Sequence, residues 1–139
     1  MRSLNRIGPS LARIKGVNAL TDVTGFGLLG HLTEIMTASA LDAEIFWSQI
    51  PKLPNLERYV NEDCVPGGTG RNYGSIAQHL PTLSETQHAI LCDPQTSGGL
   101  LVTVEPNAVD EVAAILEGAG LPFNPIGRLS QQLNEKATL

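Results

Sequence analysis

An acid, a hydroxyl and three glycines lie close together in the segment 21–30, which reads TDVTGFGLLG. Gly25, Gly27 and Gly30 form the pattern G-x-G-x-x-G where a short extended segment gives way to a predicted helix. Glycines let the backbone approach an anion closely, and the first N–H groups of a helix point toward it with the helix dipole behind them. Asp22 would repel a bare phosphate, so we expect a divalent cation between its carboxylate and the phosphate.

The same glycine pattern is typical of dinucleotide-binding folds, and Asp42 and Glu44 follow at roughly the spacing of that fingerprint. Two features weaken this interpretation. The preceding strand is short and polar, whereas a buried parallel strand is continuously apolar, and a complete dinucleotide-binding fold needs a longer chain. A structural interpretation also stays open, in which Thr24 caps the helix and the glycines only permit close packing.

A second glycine-rich stretch, 66–72 (PGGTGRN), has the composition of an anion-binding loop. Successive backbone amides around Gly68 and Thr69 could form a nest, and the guanidinium of Arg71 offers two parallel donors. The glycine content predicts a loop across 65–72. A mobile surface loop without a ligand is the simpler interpretation.

A third stretch, 91–99 (LCDPQTSGG), indicates a turn that leads into an apolar strand. Asp93 precedes a proline and is therefore disfavoured in the helical region. Nothing near Ser97 in the sequence could act as its base, so we do not expect a serine nucleophile. The pattern favours a specific turn with close backbone packing.

The cysteines and histidines give no separate site. Cys64 and Cys92 form no C-x-x-C pair, and Asp93 disfavours the thiolate of its neighbour Cys92. We therefore expect two reduced, partly buried thiols that are not nucleophiles. The histidines lack metal-ligand spacing and are expected on helix surfaces or in packing. They are His31, His79 and His88.

Hydrophobic periodicity predicts the elements that position these segments. Apolar residues three and four apart predict a helix over 25–39. They are Phe26, Leu29, Leu32, Ile35 and Met36. Strands are predicted at 17–23, 43–47, 100–104 and 125–129, and further helices at 4–15, 55–62, 73–80, 84–91 and 107–117. This order of elements fits either an α/β or an α+β domain.

Composition limits the possible functions. The 139 residues, of which 42% are hydrophobic, fit one ordinary globular domain. A net charge of −5, a pI of about 5.0 and the lack of a basic cluster argue against nucleic-acid binding by this chain. No apolar run reaches membrane-spanning length and no signal peptide is visible, so we expect no membrane partner and a cytoplasmic location.

Four stretches together resemble the C-terminal half of the selenophosphate synthetase (selenide, water dikinase) family. They are NALTDVTGFGLLGHL at 18–32, IPKLPNLERYV at 50–60, VPGGTGRN at 65–72 and LCDPQTSGGLL at 91–101. They cover most of 16–130 in the expected order. Aminoimidazole ribonucleotide synthetase, thiamine-phosphate kinase and a hydrogenase maturation factor share the architecture but are poorer matches.

The resemblance implies an enzyme that converts ATP, selenide and water to selenophosphate, AMP and phosphate, with Mg²⁺ as cofactor. It implies an α+β layered sandwich, in which helices pack on a mixed β-sheet of partial ferredoxin-like topology. The family's magnesium-binding aspartate maps onto Asp22. The active site would lie between two domains of a protein that forms homodimers. Residues expected to contact ATP are Thr24, Gly25, Gly27, Gly68, Thr69 and Arg71.

The resemblance also implies that part of the active site lies outside this chain. The family's reactive cysteine or selenocysteine, its partner lysine and several metal-binding aspartates belong to the N-terminal half. We therefore expect a lead-in at 1–15, the C-terminal domain at 16–130 and a polar tail at 131–139, and no activity without the N-terminal domain. The alternatives are a non-catalytic binding or assembly domain, another ATP-binding member of the superfamily and a small dinucleotide-binding module.

Overall fold

The computed structural model describes residues 4–131 and combines short strands with helices, which confirms the α+β class. The helices are α1 (Gly8–Leu11), α2 (Gly27–Ser39), α3 (Leu56–Asn61), α4 (Gly67–Ile76), α5 (Glu85–Leu91) and α6 (Val109–Gly118). The strands are β1 (Val17–Asp22), β2 (Leu41–Ile45), β3 (Leu100–Val104) and β4 (Gly127–Gln131). Among these described residues, no helix is both long and apolar enough to cross a membrane.

The described strands form two antiparallel pairs. β1 pairs with β3, which sets Asp22 opposite Leu100, and β2 pairs with β4, which sets Ile45 opposite Gly127. The order β1–α2–β2 followed by β3–α6–β4 is the order of a ferredoxin-like split βαβ fold, with α3, α4 and α5 inserted at its middle. The expectation of one mixed sheet is wrong for residues 4–131, because both pairings are antiparallel and separate.

Two apolar clusters hold these elements together. The larger one buries Leu29, Leu32 and Met36 of α2, at the predicted spacing of three and four, against β2, α4 and α5. Phe26 was predicted on the same stripe but is 57% exposed. The smaller cluster joins α1 and α6 to the β1–β3 pair. Within the predicted lead-in 1–15, Ile7, Leu11 and Ile14 thus contribute to packing. Of the predicted tail 131–139, Gln131 ends β4 and the rest lies outside the described residues.

A capping box marks the start of one helix, and a left-handed residue marks the end of another. Ser84 and Gln87 form a capping box in which each side chain accepts a hydrogen bond from the other residue's backbone N–H, so α5 begins at Glu85. α2 ends where Ala40 adopts a left-handed conformation (φ 51°), which turns the chain directly into β2. Strand β2 therefore starts at Leu41, two residues before the predicted start.

Three sequence-based expectations are corrected by the fold. The stretch 65–72 is loop only at 65–66, because α4 begins at Gly67 and includes residues 67–72. Thr24 is not the N-cap of α2, which is Phe26 without a side-chain cap, since the Thr24 hydroxyl contacts a histidine instead. The dinucleotide interpretation fails because β1 is paired antiparallel with β3 and the described strands include no parallel pair.

Candidate functional site

The three glycine-bearing stretches, far apart in sequence, meet at one side of the domain. Residues 22–27 connect β1 to α2, residues 66–72 include the first turns of α4, and residues 92–99 connect α5 to β3. We call this region the motif junction. It is held by hydrogen bonds and by glycines that admit close backbone contact, and each of its segments was singled out from the sequence.

Residues 22–27 and 92–99 are joined through Val23. Its N–H donates to the carbonyl of Gly99 at 2.9 Å, and its carbonyl accepts from the N–H of Gly98 at 3.1 Å. This pairing continues the β1–β3 ladder beyond its last residue. A Cβ on Gly98 would collide with the carbonyl of Val23, so only glycine permits this approach.

His31 of α2 holds the start of the same segment. Its Nε2 lies 3.1 Å from the backbone nitrogen of Thr24 and 3.3 Å from the Thr24 hydroxyl. A backbone N–H can only donate, so Nε2 is the unprotonated acceptor and the ring proton is on Nδ1. Nδ1 faces a carboxylate oxygen of Glu34 at 3.4 Å. His31 is buried, as expected for a packed residue, and it has a defined orienting contact.

The turn after α5 is hydrogen-bonded to the carbonyl of Thr24. This carbonyl accepts hydrogen bonds from the backbone N–H groups of Gly27 and Gln95, both at 3.0 Å. The side chain of Gln95 in turn donates to the carboxylate of Asp93. Burial raises the pKa of Asp93 above its usual value, and the hydrogen bond from Gln95 opposes that rise only in part.

Asn72 of α4 links all three parts of the motif junction. Its Nδ2 donates to the carbonyl of Gly25 at 2.8 Å and to the carbonyl of Cys92 at 3.0 Å. Both partners are acceptors, which places the amide nitrogen of Asn72, not its oxygen, toward them. The side chain thus uses both of its N–H groups to fix the two connecting segments against α4.

The glycines of the G-x-G-x-x-G pattern have different roles. Gly27 has φ +73°, and a Cβ there would lie 2.8 Å from the carbonyl carbon of Cys92. A Cβ on Gly30 would lie 2.6 Å from that of Phe26. Both positions serve packing, and the Gly27 N–H is already bonded to Thr24. Gly25 is exposed, and no atom of the described residues outside its chain neighbours lies within 4 Å of a Cβ position there, so a ligand can approach Gly25.

Asp22 lies at the edge of the motif junction, at the end of β1. It is exposed and lines a shallow depression with Asn5, Pro9 and Leu100. Within residues 4–131, no cluster of three or more His, Cys, Asp or Glu side chains could hold a metal ion. A lone exposed carboxylate fits one ligand of Mg²⁺, which commonly takes one or two carboxylates together with phosphate oxygens and water.

The three residues of α4 that are expected to contact ATP differ in their exposure. Thr69 is only 1% exposed, and its buried hydroxyl has no hydrogen-bond partner in the described part of the chain. Gly68 packs on Pro94, whose ring lies 3.1 Å from a Cβ position there. Arg71 is exposed, so Arg71 remains able to meet an anion. The segment is a helix start rather than an irregular nest.

The two cysteine thiols differ in their exposure to solvent. Cys92 is fully buried in the main cluster, and burial raises its pKa to about 11. Cys64 is exposed, contrary to the expectation that both thiols are partly buried. For Cys92 the structure gives the physical reason that it is not a nucleophile, because its thiolate is disfavoured at neutral pH.

The sequence did not reveal the side chains that organise the motif junction. His31, Asn72 and Gln95 act through partners 7 to 71 positions away in the chain, at Thr24, Gly25 and Cys92. Only His31 carried a local signal, since it follows Thr24 by two helical turns. The glycine-rich sequence around Asn72 predicts a loop, whereas Asn72 lies on helix α4 and bonds to the other two segments.

The comparisons with known proteins agree on one family. The family described as AIR synthase related protein, C-terminal domain, matches residues 1–139. Selenide, water dikinase of Yersinia pseudotuberculosis is 49% identical over 139 residues, which is 100% of this chain and 40% of the relative. Selenide, water dikinase of Photorhabdus laumondii is 50% identical over 132 residues, or 95% of this chain and 38% of the relative.

A third relative, selenide, water dikinase of Shewanella sp. strain ANA-3, is 56% identical over 129 residues, which is 93% of this chain and 37% of the relative. The chain therefore spans about two fifths of the length of the curated relatives that it matches. The resemblance inferred from the four sequence stretches is thereby confirmed for the chain as a whole.

Proposed function

The chain belongs to the family of AIR synthase related protein C-terminal domains, and we propose that it is the C-terminal domain of an ATP-dependent selenophosphate synthetase. In this proposal the complete enzyme converts ATP, selenide and water to selenophosphate, AMP and phosphate. The observation that supports it most is the meeting of the three glycine-bearing stretches around an exposed acid and two outward backbone amides, in a chain about half identical to selenide, water dikinases.

The role that we propose for this chain is to bind and orient the phosphates of ATP. The N–H groups of Gly25 and Phe26 have no acceptor in the described part of the chain, and both residues are exposed. Together they can donate to phosphate oxygens at the positive end of α2. Arg71 can add a charged donor from α4. Phosphoryl transfer depends mainly on such positioning and on stabilisation of charge.

Asp22 is the residue of this chain that would hold Mg²⁺, which supplies neutralisation of phosphate charge when bound. Its carboxylate makes no hydrogen bond or ion pair with other described residues, so it is available to a cation. The remaining ligands and the group that reacts with ATP would belong to the region of selenide, water dikinases that this chain does not match. The homodimer and the cytoplasmic location remain parts of this proposal.

A chimeric enzyme tests this function directly. The chain would replace the corresponding 139-residue region of the Yersinia pseudotuberculosis relative, to which it is 49% identical. We expect selenide-dependent consumption of ATP and formation of selenophosphate, measured by phosphorus NMR. The same protein without this region is the control and should form no selenophosphate.

The alternatives give different outcomes in the same experiment. A non-catalytic assembly domain would leave the chimera folded and of native oligomeric state but without ATP turnover. Another ATP-binding member of the superfamily would give ATP turnover that does not depend on selenide. Either outcome would contradict the proposed function.

A further inference from the structure

Resting on the proposed function, we propose that Asn72 is a positioning residue that aims the backbone N–H of Phe26, and with it that of Gly25, at the phosphates of ATP. Asn72 itself does not contact the substrate in this account. It acts through the carbonyl of Gly25, to which it donates at 2.8 Å.

The geometry of the peptide bond carries this inference. In a trans peptide the carbonyl and the following N–H point in opposite directions, and the structure has no cis bond among its described residues. The Gly25 carbonyl points at Asn72, so the N–H of Phe26 must point away from α4.

The orientation of the peptide group between Thr24 and Gly25 follows from the same geometry. The Thr24 carbonyl points at the backbone N–H of Gln95, so the N–H of Gly25 must point away from the turn after α5. His31 accepts the N–H of Thr24 and thereby anchors the start of the segment. The N–H groups of Gly25 and Phe26 therefore point outward and have no acceptor among residues 4–131, while the carbonyls beside them are occupied.

Asparagine suits this task at position 72 for two reasons. Its amide nitrogen carries two N–H groups, and the second donates to Cys92 at 3.0 Å, which holds the side chain in a single orientation. Gly25 has no Cβ, and among the described residues outside its chain neighbours no atom lies within 4 Å of a Cβ position there, so no side chain of its own restricts this peptide group and the hydrogen bond from Asn72 supplies an anchor. An aspartate at 72 would instead set a carboxylate against two carbonyl oxygens.

Amide NMR of the 139-residue chain tests the orientation without reference to activity. We expect the N–H groups of Gly25 and Phe26 to exchange rapidly with solvent, unlike those in the middle of α2. Asn72→Ala should change the resonance and the exchange rate of Phe26, and Asn61→Ala, at an exposed position of α3, should leave both unchanged. Strong protection of both amides in the native chain would overturn the proposal, even if Asn72→Ala fails to fold.

Kinetic measurements on the chimera test whether Asn72 affects ATP turnover. A misplacement of about 1 Å in a positioning group costs about 100-fold in rate, so Asn72→Ala should lower kcat/KM for ATP by about that factor. A folded Asn72→Ala chimera with unchanged kcat/KM would overturn the positioning role. A native chimera without activity, together with the expected NMR behaviour, would remove the proposed function and leave the orienting role of Asn72 intact.

Discussion

Replacing Gly27 or Gly25 by alanine separates a packing glycine from a glycine that leaves room for a ligand. The two positions are equivalent in the sequence pattern but not in the structure. Gly27 has φ +73°, and a Cβ there would lie 2.8 Å from the carbonyl carbon and 3.0 Å from the Cα of Cys92. Gly25 has no atom within 4 Å of a Cβ position. We therefore expect Gly27→Ala to destabilise the domain and Gly25→Ala to leave its stability nearly unchanged.

The size of the difference follows from two costs at Gly27. Holding an alanine in the left-handed region costs about 1–2 kcal/mol. The clash with the backbone of Cys92 cannot be relieved by rotating a side chain, and overpacking of this kind costs about 1–3 kcal/mol. The sum is about 2–5 kcal/mol, which lowers the Tm of a domain of this size by roughly 8–20 °C. Gly25→Ala should stay within about 0.5 kcal/mol of the native chain.

Thermal and urea unfolding of both variants, followed by far-UV circular dichroism, gives the comparison. Equal m-values would show that the variants differ in stability and not in the surface that unfolding exposes. Equal losses of stability at Gly25 and Gly27, or a larger loss at Gly25, would refute the assignment of their roles. Magnesium pyrophosphate binding by Gly25→Ala then reports on the approach of a ligand, because its fold is expected to be intact.

Two further predictions concern ionisable groups. In the native chain at pH 8, the exposed Cys64 should react with a thiol reagent, whereas Cys92 should react only after unfolding. Burial raises the pKa of Cys92 to about 11, so its thiolate fraction is about 100-fold lower than that of an ordinary cysteine. Similar rates for both thiols would contradict this. Burial also raises the pKa of Asp93, so the folded state binds its proton more tightly than the unfolded state, and stability is lost as pH rises from about 4 through that raised pKa. Unfolding free energies of Asp93→Asn should therefore improve relative to the native chain as pH rises, whereas a constant difference would count against a raised pKa.

The sequence predicted most elements because their signals are local. The three- and four-residue spacing in α2 and the apolar run of β3 each depend on neighbours in the chain. The failure at 65–72 has a physical reason as well. Glycine lowers helix propensity, but Thr69 is buried and α4 packs on α2, so tertiary contacts override the local preference.

The sequence indicated which three segments form the candidate site, but it did not indicate how each residue in them packs. Asp22, Gly25 and Arg71 are exposed, so a ligand could reach them, and their contacts with ATP and Mg²⁺ stay predictions. Gly27 and Gly68 pack closely against Cys92 and Pro94, and Thr69 faces the interior. These differences depend on which distant segment lies opposite each residue, and a single sequence does not contain that information.

The most direct test of the proposed role is the magnesium dependence of the chimera with Asp22→Asn. If Asp22 helps to hold Mg²⁺ on the phosphates of ATP, the Mg²⁺ concentration for half-maximal ATP turnover should rise by about 10- to 100-fold, the range found even for residues that only support a metal ligand. The exposed Asp63→Asn serves as the matched control and should show native behaviour. Native ATP turnover by Asp22→Asn at low Mg²⁺ would contradict the account.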